Sequence, residues 1–466
     1  MAFEKSNLSI STSVIHFYFG KMVADFGRFQ NFFRRRAMYT LENLNRLQSI
    51  REDKDIKSLS HAIFPGTHCP LFGVALTASY VRNMVVIVIG TSECTYYTKN
   101  FAYQRQKGQD KVYSLVFEDS EIILGAGDQV EQAVKDIIEI EQPDAVMLVS
   151  TCVPEVIGED YTGVQFSLNS EIDTPIFVVQ TEHFKCNSHI PGMTRTLEAL
   201  VQAMEVCPQA DCVNILGHRQ DKVEETELVK LLTKYGVEIN TVIPSKCNID
   251  DIKNAPRAKL NIVTDMIALG LAEEMKRRFG IDYLYFDKHM KLDIIAKNYQ
   301  LLESKLGLNL KEDLADVMAQ YQQLYDQCQE ILKGKKLIYG NTPMMAFETA
   351  DFLTDLGLEP LFIQVRELYE QDQQFKQNLI DKGHNPYVSR IANIAPLREL
   401  YDVIGADLYV GHESPILLRE KGMIQITFDA HAQKIGYELP VGIMKDIIKI
   451  FSAPKGKMGG MMHGGM

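Results

Sequence analysis

An alternation along the chain constrains the fold more than any other feature. Short apolar runs recur as "VVIVI" at 85–89, "AVMLV" at 145–149, "IFVVQ" at 176–180, "VNILG" at 213–217 and "INTVI" at 239–243. They continue as "LNIV" at 260–263, "KLIYG" at 336–340, "LFIQV" at 361–365, "ADLYV" at 406–410 and "IQITF" at 424–428. Between several of them lie stretches whose apolar residues repeat at helical spacing, such as Val130, Ala133, Val134, Ile137 and Ile138. "ETELVKLLTKYG", "MIALGLAEEMKRRFG" and "MMAFETADFLTDLG" are further helices, closed by glycine. Strands that alternate with helices form parallel sheets, because a parallel pair needs a crossover that a helix supplies. The fold class is α/β.

The chain has 466 residues, too many for one ordinary domain, and 46% of them are hydrophobic. The strands suffice for three Rossmann-like domains of parallel sheet flanked by helices. The expected boundaries are a helical N-terminal extension over 1–60, α/β domains over 61–207, 208–334 and 335–453, and a flexible Met/Gly tail over 454–466. Pro208 and Gln209 interrupt the pattern at the first junction, and Gly334 to Lys336 do so at the second.

A net charge of −12 argues against a nucleic-acid surface. No apolar run reaches the roughly 18 residues of a membrane span. The start lacks the order of a secretory signal, since the basic "FRRR" follows the short apolar stretch 14–19 instead of preceding it. A cytoplasmic location is expected. Eight cysteines in such a chain point to metal ligands, catalytic groups or core packing before disulfides.

Three of the cysteines sit where open sheets collect function, beyond the carboxyl ends of strands. Cys94 follows "VVIVIGTSE", Cys152 follows "AVMLVST", and Cys69 lies in the loop "FPGTHCP" before an apparent helix. A cysteine is also a small apolar side chain, and core packing is the alternative for each. The three lie far apart in sequence, without the close CxxC pair usual for zinc. A widely spaced thiolate set suits an iron–sulfur cluster. Four thiolates are usual for a four-iron cluster, so three leave it incomplete.

The segments "GTHCP", "GTSEC" and "STCVPEVIGEDYTGV", in this order, resemble the nitrogenase component 1 superfamily, as does "VFEDSEIILGAGDQVEQAVKDII" at 116–138. The resemblance runs from about His61 over most of the chain, with its sharp motifs in the first domain. It implies three Rossmann-like domains and an iron–sulfur cluster, a P-cluster (8Fe-7S) or a 4Fe-4S cluster, shared with a partner subunit. Cys69, Cys94 and Cys152 would be this chain's ligands and the partner would supply the rest. The implied partners are an alpha-type component 1 subunit, in an α2β2 heterotetramer, and an ATP-dependent iron-protein reductase. ATP would belong to that reductase, since no GxxxxGK[ST] loop occurs here.

Alpha-type members hold a catalytic cofactor through a cysteine just after an "AKxN" strand. The matching position in "RAKLNIVTDMIALG" is about Asp265, so the resemblance implies a beta-type subunit or a branch without that cofactor. Cys247, upstream, is either a displaced ligand or a plain loop cysteine. The loop "TEHFKCNSHIPGM" would lie near the shared cluster, and His183 or Cys186 would be an additional ligand or merely pack over it. Glu155, Glu159 and Asp160 are expected to cap helices and form ion pairs, and His412 to be a satisfied structural histidine. The reduced substrate stays open between dinitrogen, a tetrapyrrole and a small alkyl-sulfur compound. A scaffold for cofactor assembly, a tetrapyrrole reductase subunit and a non-redox small-ligand module are the alternatives.

Overall fold

The computed structural model describes residues 40–59, 69–105, 111–117, 119–220, 222–340, 342, 345–391 and 395–452. Residues 1–39 of the expected N-terminal extension and the stretch 60–68 before Cys69 lie outside them, as does the Met/Gly tail. What is described before Ile56 is not α-helical. It is a set of single 3-10 turns around β1 (Asn45–Arg46), which joins the edge of the last sheet. Arg390 Nη1 holds Asp53 Oδ1 at 2.8 Å, and Leu368 N–H donates to the same oxygen at 2.8 Å.

The first sheet contains β2 (Met84–Gly90), β3 (Val112–Val116), β4 (Ala145–Ser150) and β5 (Ile176–Gln180). Their order is β3-β2-β4-β5 and every pairing is parallel. Every residue of β2 and β4 is buried, so both faces of the sheet are covered, as parallel sheets require. Side chains alternate between the faces. Val86, Val88, Met147 and Val149 pack with Leu71 and Val74 of the Pro70–Ala78 helix and with Met193 and Leu197 of the Ile190–Ala199 helix. Val85, Ile87, Val146 and Leu148 pack with Val130 and Val134 of the Gly127–Glu141 helix.

The helices Pro70–Ala78 and Ile190–Ala199 cross in backbone contact. A Cβ on Gly73 would lie 1.9 Å from the carbonyl oxygen of His189, and one on Gly192 would lie 2.0 Å from that of Pro70. Only glycine at both positions permits this approach. The crossing brings the start of the first helix, where Cys69 sits, beside the loop that leads into the second.

The second sheet has β6 (Ala210–His218), β7 (Glu238–Pro244), β8 (Ala258–Val263) and β9 (Asp282–Tyr285), in the parallel order β7-β6-β8-β9. The third has β10 (Lys336–Tyr339), β11 (Glu359–Val365), β12 (Tyr387–Arg390), β13 (Leu408–Val410) and β14 (Ile424–Ile426). Its order is β1-β12-β11-β10-β13-β14, parallel except for β1. One apolar core joins the first sheet to the second through Leu216, Ile243 and Val263. Another joins the second to the third, with Leu260 and Ile262 in the same cluster as Leu337, Ile363 and Leu408. The chain is thus an α/β protein with three parallel sheets flanked by helices. No helix among the described residues is long and apolar enough to cross a membrane.

Candidate metal centre

Two strand ends and three helix starts carry the three cysteines of the first domain. β2 ends at Gly90, and Cys94 lies in the first turn of the Ser92–Arg105 helix. β4 ends at Ser150, and Cys152 opens the Cys152–Ile157 helix. Cys69 caps the Pro70–Ala78 helix, whose first residue is proline, a residue suited to that position because its missing N–H costs no helical bond. Two strand tips are locked together by Thr151, whose hydroxyl donates to the carbonyl of Ile89 at 2.9 Å. A Cβ on Gly90, at φ +152°, would stand 2.0 Å from that hydroxyl oxygen.

The helix starts supply N–H groups to sulfur. Those of Leu71 and Phe72 favour the thiolate of Cys69, and those of Cys152 and Val153 favour that of Cys152. Burial works in the opposite direction and prevails. It pushes the Cys69 thiol up to about 11 and raises that of Cys152. The sulfurs also oppose one another's ionisation. Cys94 and Cys152 raise Cys69, and Cys94 raises Cys152, so the three lie within electrostatic range. Thr91 donates its hydroxyl to the sulfur of Cys94 at 3.4 Å.

After β5 the chain turns at Glu182 and enters a 3-10 turn, His183–Lys185. This places His183 Nδ1 at 3.6 Å from Cys69 Sγ. Cys186 is not brought to the thiols. Its sulfur lies 3.5 Å from Arg195 Nη1 and 3.7 Å from the carbonyl oxygen of Thr181, and its charged neighbours are Arg195, Glu367 and Glu182. Glu155 is where sequence reasoning fell short. Its carboxylate accepts from Ser150 Oγ at 2.7 Å, Thr181 Oγ1 at 3.0 Å, Glu182 N at 3.0 Å and His183 N at 3.3 Å. The expected cap and ion pair are replaced by a tie between two strand ends. Asp160, two residues before the start of the Thr162–Glu171 helix, accepts from Thr162 N at 3.0 Å and Thr162 Oγ1 at 2.8 Å, while Tyr161 is the N-cap.

A family model described as "Nitrogenase component 1 type Oxidoreductase" matches residues 69–450. The chain belongs to this family. It is 22% identical over 406 residues to the nitrogenase iron-molybdenum cofactor biosynthesis protein NifE of Clostridium pasteurianum, covering 83% of this chain and 87% of that one. It is 23% identical over 274 residues to the nitrogenase molybdenum-iron protein alpha chain of the same organism, covering 55% and 51%. To a light-independent protochlorophyllide reductase polypeptide of Gloeothece citriformis it is 24% identical over 313 residues, covering 59% and 60%. A solved structure titled "Nitrogenase Cp1 at pH 6.5" superposes with a TM-score of 0.73 at 15% identity, over 86% of this chain and 97% of that one, and so shares the fold.

The donor set, three cysteine thiols with the imidazole of His183 beside one of them, is one that a multi-iron cluster would accept. Among the described residues, no three His, Cys, Asp or Glu side chains converge closely enough to hold one ion. A cluster spreads its thiolates over different irons, so its sulfur ligands need not share a point. Cys69 and Cys152, whose thiols burial raises, would lose their protons to a thiophilic metal, which replaces the missing charge. Exposed apolar side chains lie close to these residues in the chain. Phe184 follows His183 and is 73% exposed, Val156 follows Cys152 at 67%, and Tyr96 and Tyr97 follow Cys94 at 67% and 59%.

The position matched to the alpha-type cofactor ligand carries different chemistry. Asp265 is buried and paired with Lys288 at 2.7 Å and Arg219 at 3.1 Å. Burial alone would raise its carboxyl, but these two cations outweigh burial and hold it below the usual range. Cys247 is a core residue. It is 1% exposed, donates to the carbonyl of Pro244 at 3.3 Å, and burial pushes its thiol far up. His412 is at the surface, 3.0 Å from Asp429.

Proposed function

We propose that this chain is a beta-type subunit of a nitrogenase-like component 1 complex and holds its share of an inter-subunit iron–sulfur cluster. Cys69, Cys94 and Cys152 would be its ligands. The observation that carries the reading is the set of three cysteines at helix starts of the first domain, with His183 Nδ1 3.6 Å from the sulfur of Cys69. Such a cluster stores and passes single electrons when bound. The chain's own residues would hold it through thiolate sulfur, direct helix N–H groups at two of the sulfurs, and exclude water through exposed apolar side chains once the partner docks. The partner would be an alpha-type subunit, doubled to α2β2, and the electron donor an ATP-dependent iron-protein reductase. The ion-paired Asp265 supports placing the reduction site mainly in the partner.

Likeness to NifE over most of both chains favours a second reading, a scaffold for cofactor assembly with the same shared cluster. Co-expression with the partner under anaerobic conditions tests what the two readings have in common. Iron and sulfide for one cluster per subunit pair, with a reduced-state EPR signal, are expected. A folded, paired and iron-free protein would refute both. Substrate reduction with the reductase and ATP then marks a catalyst, whereas release of a cofactor to an acceptor protein marks a scaffold.

A further inference from the structure

One carboxylate ties the Cys152 helix to the loop carrying His183. Glu155 lies three residues beyond Cys152 and one helical turn along, and it collects four donors from the ends of β4 and β5 and the loop that follows. Two of those donors are the backbone N–H groups of Glu182 and His183. Glu182 is in the left-handed region at φ 46°, ψ 46°, which a residue with a Cβ adopts only at a steric cost. Something must hold it there. Glu155 does so from the backbone side, and Arg195, bonded to the Glu182 carboxylate, does so from the side chain. The turn that follows Glu182 places the imidazole Nδ1 of His183 3.6 Å from the sulfur of Cys69.

We infer that Glu155 is a positioning residue that holds His183 Nδ1–H as a hydrogen-bond donor to the sulfur of Cys69. The inference deepens the cluster reading above and rests on it for its redox consequence. A donor to a cluster thiolate stabilises the more negative, reduced state, because it disperses charge on sulfur. His183 is then a tuning group for the cluster edge at Cys69. Cys152 and His183, 31 positions apart, are both tied to one short helix, the first as a member of it and the second through Glu155.

The test uses the anaerobically prepared subunit pair and compares Glu155→Ala, Glu155→Gln, His183→Ala and the double variant Glu155→Ala/His183→Ala. Iron content should match the unaltered protein in all four. Glu155→Ala and His183→Ala should shift the cluster's midpoint potential to more negative values by similar amounts. The double variant should shift it no further, and Glu155→Gln, which keeps one acceptor oxygen, should restore part of the change. A purely structural Glu155 would instead lower iron content or thermal stability while the remaining cluster keeps its potential. That result, or additive shifts, overturns the inference. A pair that takes up no iron refutes the cluster reading, and the tie is then judged in the iron-free protein. There, Glu155→Ala should speed amide hydrogen exchange at Glu182 and His183 at least tenfold, and unchanged exchange would reject it.

Discussion

The imidazole Nδ1 of His183 stands 3.6 Å from the sulfur of Cys69, although 114 positions separate the two residues. Neither residue has a local reason to find the other. The contact is made by two helices that cross at Gly73 and Gly192 and by the Glu155 carboxylate that pins the intervening loop. The geometry of the candidate centre is therefore a consequence of packing in the first domain, and disturbing that packing should disturb the centre.

The helix crossing gives the most direct check. In Gly192→Ala the new methyl would meet the Pro70 carbonyl oxygen at 2.0 Å, and a backbone atom has little room to retreat. The helices must separate, at a cost of about 1–3 kcal/mol. Gly163→Ala is the control. It lies in the Thr162–Glu171 helix with nothing within 4 Å of the added methyl, so it should be neutral or stabilise by up to about 1 kcal/mol. Denaturant midpoints of the two variants should move in opposite directions, or only the first should move.

The cysteines divide into two groups by what surrounds each sulfur. Cys69→Ala, Cys94→Ala and Cys152→Ala should each lose most of the iron and change the reduced-state EPR signal. Cys247→Ala and Cys328→Ala should keep both. Cys328 is wholly buried against the C-terminal helix, its sulfur 3.7 Å from the Met444 carbonyl oxygen, and burial pushes its thiol up to about 12. Each of these two losses should cost about 1–2 kcal/mol of stability. Cys186→Ala should also retain iron, since Arg195 and not the thiol group is its neighbour. Iron analysis and EPR on the six variants measure the division.

What the sequence disclosed follows from burial. The central strands β2 and β4 are covered on both faces and appear as unbroken apolar runs. The strands left unrecognised were β3, β9, β12 and β1, which lie at or beside sheet edges. There the burial is mixed, and "VYSLV", "DYLY" and "YVSR" blend into polar loops. The three thiols were legible because each follows or precedes an element that the pattern marks. The Glu155 tie was not, because its partners Thr181 and Glu182 are contributed by another strand end, whose proximity only the parallel pairing of β4 and β5 creates.

A buried histidine should shape the acid limb of the stability curve. His218, at the end of β6, is 3% exposed. Burial, then Lys288 and Arg219, lowers its pKa from 6.5 to about 4. Between those values the unfolded chain takes up a proton that the folded one refuses, so stability falls as pH falls through this window. The contribution is complete above 6.5 and amounts to about 3 kcal/mol. In His218→Asn, unfolding free energy should vary less between pH 6.5 and 4 than in the unaltered chain. Identical pH dependence in the two proteins would show that His218 is protonated in the folded state.

Asp265 should be structural. Asp265→Asn removes the charge that Lys288 and Arg219 share, leaving buried cations with less compensation, and should destabilise by about 3 kcal/mol. Iron bound at the thiols should be unaffected once the variant is folded. Equal stability, or specific loss of iron, measured by thermal melting and metal analysis, would contradict this assignment.

The exposed apolar side chains should matter to association and not to folding. Phe184 and Val156 have most of their surface in water, so replacing both by serine removes little packing from the isolated chain. Stability should change by no more than about 0.5 kcal/mol per site. Docking of a partner over the thiols would bury both, and truncating apolar residues at the centre of an interface typically weakens pairing by about 1–3 kcal/mol each. Ile140 provides the comparison. It is 72% exposed but ends the Gly127–Glu141 helix, just before β4 begins, at the opposite edge of the sheet from the thiols. Ile140→Ser should leave pairing intact while Phe184→Ser/Val156→Ser raises the dissociation constant at least tenfold in sedimentation measurements on the co-expressed pair. Equal affinity in the two would place the partner on another face and leave the three thiols without a source for the remaining ligands.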